Sequence, residues 1–223
     1  VLFCENKGII FLKNKMQNIC LLGASGSVGE STLKVLRTFS ENFSLYSFSV
    51  NENIEKAKSI IDEFSPKYAV ISSEGADRTI LGDNFGSTKI LYGKEGLLEI
   101  AGQKKVDTVV TAVVGVNGLF PTIEAIKCGK KIAIANKETL VTFGPYINDL
   151  VIKHKATLIP VDSEHNALFQ LLETQDKENI RAITLTASGG SFRNVPIEKL
   201  KSVTIEETLN HPTWKMGPKI TVD

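Results

Sequence analysis

Two carboxylates set two residues apart, Asp162 and Glu164 in the segment PVDSEH, are the side chains of this sequence best suited to holding a metal. On extended backbone, positions i and i+2 face one side, so the pair could converge on one hard divalent cation, Mg²⁺ or Mn²⁺, completed by water or substrate oxygens. The same D-x-E at a helix entry also serves as a cap, its carboxylates favoured by the positive helix end. Asn136-Lys137-Glu138 follows the apolar run KIAIA, at the kind of strand end where open α/β sheets bind ligands. That triplet could equally cap the helix after it. Ser188-Gly189-Gly190-Ser191 offers hydroxyls and flexible amides, a nest for a phosphate or sugar hydroxyl, or else a plain turn. The segment HPTWKMGP, from His211 to Pro218, cannot be a regular helix or central strand. Its Trp214 either covers a ligand pocket or lies between domains, and His211 either meets phosphate and protons or is structural.

These groups need a scaffold, and the stretch NICLLGASGSVG, residues 18–29, begins it. A short apolar run ends in Gly23-x-x-Gly26-x-x-Gly29 and enters a helical pattern. Residues without a Cβ let the chain bend and its N–H groups approach a phosphate, which the helix N-terminus also attracts. The first spacing is x-x rather than the single x of the commonest dinucleotide fingerprint, and a glycine turn that binds nothing is the rival reading.

Apolar periodicity predicts helices over residues 30–39, 53–64 and 93–101, with a less clear one around 75–81. Strands are expected at 44–50, 68–72, 89–91 and 108–114. A helix at 121–128 has Pro at its start and Gly129 just past its end. Strands at 131–135 and 157–161 flank two helices, 138–141 and 147–155, broken by Gly144-Pro145, and a further strand from residue 184 runs into the Ser188 turn. The rhythm is that of an α/β doubly wound parallel sheet. A boundary near residue 150 divides a nucleotide domain, 1–150, from a second domain, 151–223.

The chain has 223 residues, 42% hydrophobic, and a net charge of +1, which suits one large or two modest domains. Balanced charge leaves no electrostatic footprint for nucleic acid, and no segment approaches transmembrane length, so a small-molecule ligand is expected. Cys4, Cys20 and Cys128 stand far apart without C-x-x-C spacing, which fits a reducing cytoplasm rather than a disulfide framework. Residues 1–15 read as an upstream extension, with Met16 as the natural start.

Six blocks in order, GASGSVGEST (23–32), AVVGVNGLFPT (112–122), ANKETLVTFG (135–144), PVDSEHNALFQ (160–170), TASGGSFR (186–193) and HPTWKMGPKITVD (211–223), resemble the 1-deoxy-D-xylulose 5-phosphate reductoisomerases. The resemblance spans residues 16–223. It implies a Rossmann-like NADPH-binding domain followed by the start of an α+β catalytic domain, truncated at the C-terminus. The implied reaction is an NADPH- and divalent-metal-dependent rearrangement of a sugar phosphate, followed by reduction to 2-C-methyl-D-erythritol 4-phosphate, an isoprenoid precursor.

By that resemblance Ser25, Gly26, Ser27 and Val28 would hold the cofactor pyrophosphate, with Asn51, Glu52 and Asn53 by its adenosine end. Asn136 and Glu138 would approach its ribose and nicotinamide, and Gly217 would lie near it. Lys137 and Glu164 would carry catalytic and substrate contacts, and Asp162 and Glu164 would bind Mg²⁺ or Mn²⁺. Ser163, Ser188 and His211 would position substrate, and Trp214 would ride on a mobile loop over the site. Family members are generally homodimers.

Two departures follow. Glu52 stands where the family commonly has a basic residue, and a carboxylate there favours a free ribose hydroxyl, which leaves NADH beside NADPH. The sequence also stops where the family supplies further phosphate-binding residues and a third metal ligand. Three readings result: the front part of a working enzyme, an inactive remnant that at most binds nucleotide, or another dinucleotide-dependent dehydrogenase sharing only the front domain.

Overall fold

Alternating apolar positions put successive strand side chains on opposite faces, so a buried parallel sheet needs helices on both. The computed structural model, which describes residues 16–187, 189–213 and 217–222, has that layering. β1 (Gln17–Leu22), β2 (Phe43–Val50), β3 (Tyr68–Ile71), β4 (Asn84–Phe85), β5 (Thr88–Tyr92), β6 (Thr108–Thr111), β7 (Lys131–Ile134) and β8 (Thr157–Pro160) form one eight-stranded sheet, ordered β4-β5-β3-β2-β1-β6-β7-β8. Every pairing is parallel except β4 with β5. Ile19 and Leu21 face a core shared with α1 (Ser27–Thr38) and α2 (Ile54–Phe64). Cys20 and Leu22 face the other, shared with α3 (Gly93–Gly102), α4 (Leu119–Lys127) and α5 (Lys137–His154). Burial pushes the Cys20 thiol up to about 12, which leaves it inert packing.

Strand order reverses between β1 and β6, and the registers bring Leu22 beside Thr111, Thr111 beside Ile134 and Ile134 beside Pro160. The strands therefore end along one edge, and a crevice opens at the reversal, where doubly wound sheets bind ligands.

Three expectations are corrected. Residues 75–81 form turns rather than a helix: Asp77 Oδ1 accepts both the Thr79 N–H at 2.9 Å and the Thr79 hydroxyl at 2.7 Å, competing with helical bonding. The two helices expected around Gly144-Pro145 are one, α5, kinked where Phe143 leaves helical geometry. Buried Thr139 on one side of the kink and Ile147 and Leu150 on the other hold both halves in place. Residues 184–187 are not a strand, and Leu185 is more than half exposed, with no ladder partner among the described residues. α5 spans residue 150, and β8 beyond it pairs with β7. Past the sheet come α6 (Ser163–Leu172), α7 (Ile205–Thr208) and α8 (Pro218–Val222), with short 3-10 helices at Lys177–Asn179 and Ile197–Ser202 between the first two.

Candidate functional site

The glycine turn is fixed by contacts that only glycine permits. Gly23 has φ +87°, and a Cβ there would come within 2.6 Å of the Ala112 carbonyl oxygen at the head of the β6 loop. A Cβ on Gly29 would meet the Gly23 carbonyl at 2.4 Å, so this position lets α1 pack onto the turn. Gly26 differs: it is exposed, it is the N-cap of α1 without a side-chain cap bond, and a Cβ would find nothing closer than 3.7 Å. The first two glycines shape the turn and the third leaves the helix N-terminus open to an anion. Ser49, on β2, accepts the Gly23 N–H at 3.0 Å and ties the turn to the neighbouring strand.

Around that turn lies a cleft of about 720 Å³, lined by Ser25, Gly26 and Asn51 together with Ser72, Lys94 and Asn117 among others. Its size and its open helix terminus fit an extended dinucleotide. Ser27 and Val28 open α1 beside it, and Gly217, from the far end of the chain, comes back onto the turn, 3.6 Å separating its Cβ position from the Ser27 hydroxyl. Glu52 and Asn53 are exposed, and Asn53 caps α2 by accepting the Lys56 N–H at 3.0 Å.

Asn136 joins the β6 loop to the start of α5. Its side chain is 3% exposed, both amide hydrogens donate to carbonyls of the β6 loop, Val113 at 2.6 Å and Gly115 at 2.7 Å, and its Oδ1 caps α5 through the Thr139 N–H at 3.1 Å. This amide steadies the cleft wall, which Val113 lines. Glu138, in the first turn of α5, is half-buried.

Next along the edge, β7 and β8 bring a second group together. Lys137 Nζ lies 3.5 Å from Asp162 Oδ2, and His165 Nδ1 lies 2.9 Å from Asp162 Oδ1. Burial raises the Asp162 carboxyl, but the His165 hydrogen bond and the Lys137 ammonium outweigh it and hold the group below its ordinary value. Extended geometry ends at Asp162, since Ser163 and Glu164 already belong to α6, so the i, i+2 alignment on a strand does not operate. Asp162 is the N-cap but makes no side-chain cap bond, and Glu164 instead accepts the Ser163 hydroxyl at 2.5 Å. The donors are hard oxygens beside a site already attractive to a cation, which fits Mg²⁺ or Mn²⁺ held by two protein ligands. No group of three or more His, Cys, Asp or Glu gathers among the described residues.

His211 is buried and its Nδ1 accepts the Thr213 N–H at 3.1 Å, a local bond that sets the ring's orientation. Ser188 and Trp214, expected to position and cover substrate, lie outside the described residues, as does the 1–15 extension. The turn beside Ser188 is built on Gly189 and Gly190, with φ of +83° and +76°. Sequence reasoning missed Ser49, Ser72, Ser73, Lys94, Asn117 and His165. The serines after β3 and Asn117 follow strand ends, a signal that could have found them; Ser49 and Lys94 are recruited only by strand neighbours.

The model of the 1-deoxy-D-xylulose 5-phosphate reductoisomerase family matches residues 19–144, and that of the family's C-terminal domain matches 158–223. Reductoisomerases of Leptospira borgpetersenii and Leptospira interrogans are 58% and 59% identical over 206 residues, 92% of this chain and 53% of each relative. A solved reductoisomerase in complex with NADPH, fosmidomycin and magnesium superposes with a TM-score of 0.83 at 37% identity, covering 92% of this chain and 53% of that one. The Zymomonas mobilis enzyme in complex with NADPH gives 0.80 at 34%, covering 89% and 52%. The chain spans about half the length of the curated relatives it matches.

Proposed function

Because the chain belongs to the 1-deoxy-D-xylulose 5-phosphate reductoisomerase family, we propose that it is the nucleotide-binding and leading catalytic part of an NADPH- and divalent-metal-dependent reductoisomerase. The overall reaction would convert 1-deoxy-D-xylulose 5-phosphate to 2-C-methyl-D-erythritol 4-phosphate. The observation that carries this reading is the shared strand edge, where the glycine turn after β1 and the Lys137–Asp162 pair after β7 and β8 follow the same ends of one parallel sheet. A dehydrogenase sharing only the front domain does not account for the match over 158–223.

When bound, NADPH supplies a hydride and the metal a Lewis acid for neighbouring substrate oxygens. The α1 N-terminus and Ser25 to Val28 would hold the pyrophosphate, with Asn51 by the adenosine. Asp162 and Glu164 would hold the cation. Lys137, which neighbours Asp162, would contact the substrate near the hydride path, with Asn136 and Glu138 toward the ribose and nicotinamide. Ser163, Ser188 and His211 would orient the sugar phosphate, Trp214 would exclude water above it, and Gly217 would close onto the cofactor turn. Division into a nucleotide domain and a catalytic domain near residue 150, homodimerisation and a cytoplasmic location complete the proposal. No helix among the described residues is long and apolar enough to cross a membrane.

A second reading, an inactive chain that binds nucleotide only, is favoured by the two-carboxylate donor set, since no third acidic ligand gathers among the described residues. A single-turnover assay separates the two. NADPH oxidation with 1-deoxy-D-xylulose 5-phosphate and Mn²⁺ supports the enzyme, whereas nucleotide binding without oxidation supports the second reading for this chain. In an active full-length form Asp162→Asn is expected to weaken metal binding and turnover while sparing NADPH affinity. Equal loss of both would mean Asp162 holds the fold.

A further inference from the structure

The cleft continues past Asn51 to the loop after β3, Ser72 to Gly75, and ends at Lys94 on α3. Lys94 is the one basic side chain among its described lining residues, and Glu52 is not among them. From this we infer that Lys94, restrained by Glu74, reads the phosphate on the adenosine ribose and sets the preference for NADPH over NADH. The inference rests on the nucleotide reading above.

Topology gives Lys94 its place. The sheet runs β5-β3-β2-β1, so a nucleotide leaving the glycine turn after β1 passes the end of β2 and meets the β3 loop with its outer ribose edge. α3, which follows β5, enters that region from beyond β3. The two loops form one wall: Ser72 N–H donates to the Val50 carbonyl at 2.9 Å, Ser73 N–H to the Asn51 carbonyl at 3.0 Å, and the Ser72 hydroxyl to Asn51 Oδ1 at 3.3 Å. With its oxygen engaged, Asn51 offers the wall an amide donor.

Helix stability does not explain Lys94. It is the second residue of α3, where the macrodipole disfavours a cation, and the N-cap, Tyr92, makes no side-chain cap bond. The helix terminus and the ammonium thus direct positive charge toward the same end of the cleft, with Glu95 in the same turn as the partial counterweight. Lys94 Nζ lies 3.2 Å from a Glu74 carboxylate oxygen, and both side chains are more than two-thirds exposed. Such a pair is weak and exchangeable, so a dianionic phosphate can displace Glu74. Glu52, by contrast, has a structural account: it lies just before the Asn53 cap, near the positive end of α2.

NADPH and NADH titrations by nucleotide fluorescence on the wild-type chain, K94M, E74Q and E52Q test this. K94M should weaken NADPH about tenfold, as loss of one charge-assisted contact predicts, and leave NADH within about twofold. E74Q should tighten NADPH by about two- to fivefold, since it removes the competing carboxylate; circular dichroism checks each fold. Equal weakening of both nucleotides by K94M, E74Q without effect, or a larger NADPH effect from E52Q than from K94M would overturn the role of Lys94 while leaving the nucleotide site standing. A wild-type chain that binds neither nucleotide would overturn both.

Discussion

The two ends of the chain differ in what holds them. Through residue 160 the sheet is sandwiched between two apolar cores, with Phe48, Leu21, Leu22, Ile60 and Ile132 fully buried. Beyond Pro160, among the described residues, only His211 and Thr221 are buried, and α6 buries nothing. Order there comes from local polar devices: a capping box between Thr204 and Glu207, the Ser191 hydroxyl on the Thr208 carbonyl at 2.7 Å, and the Asn166 amide on the Pro160 carbonyl at 2.7 Å. The glycine turn is therefore preformed by tertiary packing. The carboxylate group is positioned where the second region leaves β8 and relies on a few contacts, which makes it the softer half of the site.

Substitutions can break or sharpen that contrast. Phe48→Ala, in the first core, should cost about 3–5 kcal/mol in urea unfolding. Gly23→Ala should cost about 3 kcal/mol or more, because a positive φ and the Ala112 carbonyl both oppose a Cβ, and should abolish nucleotide binding with it. Asn136→Ala should cost about 2 kcal/mol, leaving two carbonyls and a helix N-terminus unserved, and should weaken NADPH through a loosened cleft wall. Leu171→Ala on α6, where the side chain is 67% exposed, should cost less than about 0.5 kcal/mol. A cost near that of Phe48→Ala would erase the distinction between the regions.

The smallest effect is a pH dependence. The folded-state pKa of Asp162 lies below its ordinary 3.8, so the unfolded chain binds the proton more readily. The stability this group contributes is present above that ordinary value and is lost as pH falls through the lower folded one. Asp162→Asn should flatten this acid limb, read as helicity at the start of α6 by NMR between neutral pH and pH ~3. An unchanged limb would mean that the Lys137 and His165 contacts contribute nothing to holding the second region.

Much of this was legible in one dimension. Gly23, Gly26 and Gly29 announced a phosphate turn by lacking Cβ atoms, and seven of the eight strands follow from short apolar runs, because burial on both faces demands them. The two-residue β4 had no such run; it exists through its hairpin with β5. Pro145 read as a helix break, yet burial on both sides of Phe143 carried α5 through it. The run from residue 184 read as a strand but has no partner to pair with among the described residues, and a strand without one has no ladder.

By itself the sequence determined the α/β order, the glycine turn and the identity of the residues at the strand ends, because periodicity and missing Cβ atoms are local properties. Tertiary structure alone decided which ends meet. It tied the Asn136 side chain to the β6 loop, set Asp162 between Lys137 and His165, and brought Lys94 from beyond β3 to the cleft, since strand order and register are properties of the whole sheet rather than of any segment.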